Sequence, residues 1–292
     1  MPSAVARAPR RLVAAVLLRV GTRGSRLALT QAERAAEAVR RPGVEIALVP
    51  ITTSGDRDRT RPFGEIGSRG VFVKELEEAL LERRIDVAVH SAKDMTSVDA
   101  DGLEVGAYTP REDPRDALCG AGELRPGMRI GTASARRRAQ LLALEPSLLI
   151  EPLRGNIDTR LRKRRERGLD AVVLAACGLD RLGVASEIGY RFDPEELLPE
   201  AGQGALALQV RAGETDLVAA ADDAATRCSV ELERRCVARI GGGCLAPVAA
   251  HHDGTVLRAL VADEDGSWVA RARGHDPDAL AAELVAAAAA HA

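Results

Sequence analysis

Two hydrophobic periods take turns along this chain. Between Arg69 and Ser97, Phe72, Leu76, Ala79 and Leu80 fall at helical spacing, with Lys74, Glu77, Glu78 and Glu82 mostly off that stripe. Ile85, Val87 and Val89 then alternate as a short strand. The pattern predicts a helix, a buried strand and a loop that sets Lys93 beside Asp94. A cation and a carboxylate at the carboxyl end of a strand stand where open α/β sheets bind ligands.

The same alternation runs on both sides of that unit. Strands are predicted at Leu12–Val20, Val44–Thr53 and Leu103–Thr109, with a helix running to Val39 and a turn-rich loop over Ser54–Gly70. It restarts with strands at Met128–Gly131, Leu148–Leu153 and Asp170–Ala175, separated by helices opening at GTASARRRAQ and RGNIDTRLRK, and a further strand at Ala205–Arg211. Val20–Arg26 resembles Ile130–Arg136, which suggests two similar α/β lobes joined near Pro110 and Glu200–Gln203. A helix over Thr226–Ile240, three strands (Val248–His251, Val256–Ala262, Trp268–Arg273) separated by Asp-Gly turns, and a helix over Pro277–His291 read as a small α+β domain with an antiparallel sheet. The expected division is a tail over 1–11, a first domain over 12–109 and 205–222, a second over 110–204 and a third over 223–292.

Composition narrows the function. Aromatics make up 2% of the 292 residues, which leaves few stacking platforms for single-stranded nucleic acid. The net charge of −2 gives no global field toward DNA. Five cysteines form no CxxC pair, so neither a zinc site nor a disulfide framework is expected. The apolar run Leu12–Leu18 is short and Arg19 breaks it, so it reads as the approach to a first strand rather than an export signal. No membrane-spanning run is expected, and the localisation expected is cytoplasmic.

Candidate chemistry gathers at the strand-to-helix junctions. Arg23, Arg136, Arg137, Arg154 and Arg160 stand there with the hydroxyls of Ser25, Thr132 and Ser134. A helix start offers free N–H groups, and guanidinium forks add bidentate donors, so these junctions suit carboxylates or phosphates. One such junction would be an ordinary capped helix; three on matching lobes favour a ligand with several acidic groups. Cys244 lies in GGGCLAP, where three glycines leave little to bury it, and reads as an accessible thiol suited to covalent attachment.

Taken together, GTRGSRLALTQA, GVFVKELEEALLERRIDVAVHSAKDM, REDPRDAL, GTASARRRAQL, LRGNIDTRL, GLDRLG, GQGALALQ and GGGCLAPV resemble the porphobilinogen deaminase (hydroxymethylbilane synthase) family. The resemblance runs from about Leu17 to the final helix. It implies two periplasmic-binding-protein-like lobes plus the small third domain, and a transferase that joins four porphobilinogen molecules head to tail with loss of ammonia. It also implies a dipyrromethane cofactor in thioether linkage to Cys244 and a catalytic Asp94; a monomer is expected, since the charged surface gives no strong hint of assembly. Lys93, Asp94, Ser25, Thr132, Ser134, Arg136, Arg137 and Arg160 would hold the cofactor, while Arg23, Ser25, Arg154, Arg160, Arg181 and Gln203 would hold substrate. The 54–70 loop would act as a lid. Arg69, Thr96 and Gly241 depart from the family pattern, and none carries an assigned chemical role. The competing class is a non-catalytic two-lobed anion-binding module, which an accessible thiol on a third domain disfavours.

Overall fold

The computed structural model describes residues 16–52, 73–96, 100–241 and 247–291; Phe72, the 54–70 segment and Cys244 lie outside the described residues. Strands β1 (Val16–Arg23), β2 (Val44–Ile51), β3 (Val87–Ser91) and β4 (Leu103–Tyr108) join the later β10 (Leu206–Arg211) in a sheet of order β2-β1-β3-β10-β4. β1 is parallel to both its neighbours, and β10 is antiparallel to both of its own. A second sheet holds β5 (Asp116–Cys119), β6 (Arg129–Gly131), β7 (Leu149–Glu151), β8 (Ala171–Ala175) and β9 (Ile188–Arg191) in the order β7-β6-β8-β5-β9. There β6 is parallel to its neighbours and β5 antiparallel to both of its own.

The two sheets therefore share one topology, a parallel trio followed by a reversed strand. Each reversed strand arrives from the other lobe: β5 follows β4 through 109–115, and β10 follows β9 through 192–205. Those two connections form the hinge.

Helices cover the sheets where the sequence leaves an apolar stripe. α1 (Arg26–Val39) starts at Ser25, whose side chain accepts from the Ala28 amide. Its buried Ala32, Ala35 and Val39 pack on Leu18, Val20, Val87, Val89 and Leu208. On the opposite face α2 (Lys74–Leu81) sets Leu76, Ala79 and Leu80 against Ile85, Ala88 and Leu103. Burying each such leucine contributes about 2–3 kcal/mol before conformational entropy is charged. Gly21 keeps that layer tight, because a Cβ there would stand 2.3 Å from Ile85 Cδ1. In the second lobe α3 (Ala135–Leu144) is capped by Ser134, α4 (Ile157–Glu166) by Asn156, and α5 (Ala176–Arg181) follows β8 directly.

The third unit is an antiparallel meander, β11 (Val248–His252), β12 (Leu257–Ala262) and β13 (Val269–Gly274), packed with α6 (Ala224–Ile240) and α7 (Pro277–His291). Cys236, Val237, Val248, Leu257, Leu280 and Leu284 form its core. Gly254 and Gly266 take positive φ in the two hairpin turns, at 98° and 71°.

Some elements differ from the sequence expectation. β5 and β9 are absent from it, since all four residues of β5 are buried and so show no alternation, and β9 is only four residues long. The GLDRLG stretch is partly helical, as α5. Lys93 and Asp94 ride a 3-10 turn over Ala92–Asp94 instead of an open loop, and α6 begins at Ala224 rather than Thr226.

Candidate active site

The side chains singled out by sequence gather at the carboxyl ends of the parallel strands. Arg23 closes β1, the Ala92–Asp94 turn follows β3, Thr132 follows β6, and Arg154 follows β7. Continuing the register in which Gly21 faces Ala88 sets Arg23 beside His90 on neighbouring strands. Among the described residues, a shallow depression lined by Val16, Leu17 and Leu217 lies at the opposite, amino end of β1.

The second lobe contributes a buried ion cluster. Asp116, fully buried at the start of β5, accepts from Arg136 Nη1 at 2.8 Å and from Arg137 Nη2 and Nε at 2.7 and 3.1 Å. Burial alone would push its carboxyl up, but the two guanidiniums more than reverse that and hold it well below the usual carboxylate range. Arg137 gives its remaining bond to the Val173 carbonyl at 3.0 Å. Arg136 is arranged differently. Its Nη1 serves Asp116 and the Leu198 carbonyl, while its buried Nε and Nη2 have no hydrogen-bond acceptor among the described residues.

Arg160, on the first turns of α4, completes the cationic wall. Its buried Nε also has no acceptor among the described residues. Burial draws its pKa down to about 10, Arg137 and Arg154 push the same way, and Asp94 pulls it back up. The group therefore remains a cation at neutral pH, and the carboxylate of the first lobe acts on a guanidinium of the second. Asp94 itself is half-buried.

Four expected site residues have most of their polar atoms engaged by protein. Gln203 is fully buried and bonds to Lys93 Nζ, Asp116 and the Pro114 carbonyl. Arg181, its side chain 1% exposed, donates to Glu112 Oε1 at 3.1 Å and to the Gly204 carbonyl at 2.7 Å. Through these bonds it braces the hinge. Ser134 and Thr132 order the start of α3, with Ser134 N donating to Thr132 Oγ1 at 3.2 Å.

Sequence reasoning missed Asp116, Arg111, Glu112, Glu233 and His90. The first three lie in the REDPRDAL stretch, where clustered charges adjoining a proline read as an ordinary turn. His90 is buried on β3, its Nε2 3.1 Å from Gln209 Oε1 on β10, and Gln209 Nε2 donates to Glu77 on α2. Burial, countered by the Gln209 bond and reinforced by Arg23 and Arg234, lowers its pKa to about 4, so it is neutral at pH 7. Among the described residues no helix is long and apolar enough to cross a membrane.

Comparison with known proteins adds a family match. Residues 18–219 match the family model described as porphobilinogen deaminase, dipyromethane cofactor binding domain. A porphobilinogen deaminase of Syntrophotalea carbinolica is 46% identical over 263 residues, spanning 85% of this chain and 84% of that one. A probable porphobilinogen deaminase of Methanopyrus kandleri is 44% identical over 280 residues, spanning 90% of this chain and 94% of that one. Among solved structures, the methionine binding protein MetQ aligns with a TM-score of 0.45 at 15% identity, over 70% of this chain and 89% of that one.

Proposed function

The chain belongs to the porphobilinogen deaminase family, and on that premise we infer that it deaminates porphobilinogen, joins the units head to tail on a dipyrromethane cofactor, and frees hydroxymethylbilane by hydrolysis. It is a transferase of tetrapyrrole synthesis. The observation that carries the reading is the set of buried guanidinium N–H groups on Arg136 and Arg160 without a protein acceptor among the described residues, with Arg160 close enough to Asp94 to feel its charge. Buried donors left unpaired are costly, so they argue for a ligand that supplies acceptors.

The residues present fit the cofactor. Each of its pyrroles carries an acetate and a propionate, and Arg136, Arg160 and Lys93 offer donors to such groups. Ser25, Thr132 and Ser134 add hydroxyls beside helix starts, and Arg23 and Arg154 extend the cationic lining toward incoming substrate. Arg137 contributes charge and holds Asp116 in place. When bound, the dipyrromethane supplies a nucleophilic pyrrole carbon on which the chain is extended.

Asp94 is the catalytic residue in this reading. Loss of ammonia from an aminomethylpyrrole leaves positive charge spread over the ring and its nitrogen. A fixed carboxylate at that point stabilises the developing charge more than it stabilises the neutral ground state. Arg160 holds the opposite wall and keeps a counter-charge near Asp94. Arg181, Glu112 and Gly204 brace the hinge so that the two walls keep their spacing.

Cys244 is assigned as the thioether attachment point. The enzyme is assigned to the cytoplasm, in keeping with an odd cysteine count and no CxxC pair, and is taken to act as a monomer. Intact mass tests the reading. Purified protein should exceed its sequence mass by two linked pyrrole units, and Cys244→Ser should remove the excess. An active wild type at the bare sequence mass would refute the tether.

A further inference from the structure

Lys93 and the arginine pair belong to different lobes, and one buried amide joins them. Gln203 Nε2 lies 2.9 Å from Asp116 Oδ1 and 2.6 Å from the Pro114 carbonyl. Both are acceptors, so the NH2 side of the amide must face them. Its Oε1 is thereby turned to the first lobe, where Lys93 Nζ lies 3.2 Å away. Asp116 also receives Arg136 and Arg137. A continuous chain of bonds thus runs from Lys93 through Gln203 and Asp116 to both arginines.

The backbone around this amide is equally fixed. Arg111 Nε donates to the Gln203 carbonyl at 2.9 Å. Gly202, at φ 76°, lies so close to the Lys93 turn that a Cβ would stand 2.9 Å from Ala92 C and 3.0 Å from Lys93 N. Any displacement of Gln203 is therefore felt by the peptide that carries Lys93.

We propose that Gln203, anchored on Asp116, is a positioning residue that fixes the Lys93 ammonium relative to the Arg136–Arg137 pair, so that carboxylates of one ligand meet both lobes at a set spacing. A lysine ammonium has three donors, and Gln203 takes one, which orients the other two. A flexible four-carbon stem would otherwise sample many rotamers and lose affinity for each. The role differs from contact with substrate, since both ends of the amide are spent on protein. It rests on the reading that Lys93 and Arg136 hold pyrrole carboxylates.

The test is a double-mutant cycle of Gln203→Leu and Lys93→Ala on the purified holoenzyme. It reads the KM for porphobilinogen, kcat, the fraction of chains carrying the two-pyrrole mass, and the thermal midpoint. Gln203→Leu should raise KM roughly tenfold, in line with loss of one charge-assisted hydrogen bond, and lower the fraction carrying the added mass. In the Lys93→Ala background the same change should cost markedly less in both readouts, the remainder being the lost Gln203–Asp116 bond. Additive effects, with Lys93→Ala itself impaired, would overturn the relay and leave the site reading standing. A silent Lys93→Ala would overturn both. Should Gln203→Leu fail to fold, Gln203→Asn, which withdraws the amide by one methylene, takes its place in the cycle with the same expected non-additivity.

Discussion

Glu233 sits on α6 of the third unit, yet its carboxylate grips Arg111 in the hinge, with Arg111 Nη1 2.5 Å from Oε1 and Nη2 3.2 Å from Oε2. The same carboxylate accepts from Gly202 N at 2.8 Å and from His252 N at 2.7 Å. One fully buried acid therefore ties α6, β11 and both hinge connections together. α6 and β11 are also the two elements that flank the segment carrying Cys244. The packing of α6 and β11 against the two connections thus depends on this acid.

Replacing Glu233 by Gln keeps the volume and leaves Arg111 with no counter-charge on this side chain. Breaking a buried pair in this way costs about 3–5 kcal/mol, which a urea midpoint would read; a loss below about 1 kcal/mol would make the pair dispensable. Stability should also become less sensitive to acid. Burial raises the Glu233 carboxyl, but Arg111 and His251 outweigh it and leave its pKa lowered from 4.5. A carboxyl lowered by folding stabilises above its unfolded pKa, and that contribution fades as pH falls below about 4.5 toward the folded value. Glu233→Gln removes this share of the acid-induced loss, so its stability should fall less steeply over that window.

His90 gives a dependence over a higher window. Its pKa is lowered from 6.5 to about 4 by burial, so the unfolded chain takes up a proton that the folded chain refuses. Stability should therefore be full above pH 6.5 and decline as the pH drops toward 4, by on the order of 3 kcal/mol for this group. An imidazole NMR titration checks it directly: His90 resonances should stay fixed from pH 8 to about 5. Movement centred near 6.5 would mean that the buried Glu77–Gln209–His90 arrangement is wrong.

Much of this was legible in the sequence, and the gaps have physical causes. α1, α2, α6 and the three-stranded meander show clear periodicity because each buries one face and wets the other. β5 does not, since it is buried on both faces. The pair Lys93–Asp94 was visible because it follows a strand, and the arginines were visible because they open helices. Asp116 was hidden for the opposite reason. A single acid beside Pro114 and Arg115 looks like turn chemistry, and only the fold brings Arg136, Arg137 and Gln203 to it. Arg181 carried a family role on its motif, but its neighbours Glu112 and Gly204 come from connections far away in sequence.

Asp94→Asn separates chemistry from architecture. Asp94 is half-buried on a short turn, so an isosteric amide should leave the thermal midpoint nearly unchanged. Turnover should fall by roughly 10²-fold or more, as expected when a fixed charge opposite a developing cation is lost. Steady-state kinetics with circular dichroism on the same sample would decide it. Near-normal kcat would remove Asp94 from the mechanism, whereas loss of folding would give it a structural role instead.

Gly202→Ala tests whether the hinge sets the geometry of the Lys93 turn. The residue has φ 76°, a conformation that costs an alanine on the order of 1–2 kcal/mol. The added Cβ would also press on the Ala92–Lys93 peptide, where the neighbouring atoms are backbone and cannot swing aside. The turn must therefore shift, and Lys93 and Asp94 shift with it. Expected outcomes are a stability loss of about 1–3 kcal/mol and a turnover loss that persists at temperatures where the variant is fully folded. Gly213→Ala serves as the control, since it has a similar φ of 84° with nothing within 4 Å of its Cβ. It should show the backbone strain alone, with normal turnover. Equal turnover in the two variants would mean that Gly202 matters for strain and not for the placement of Lys93.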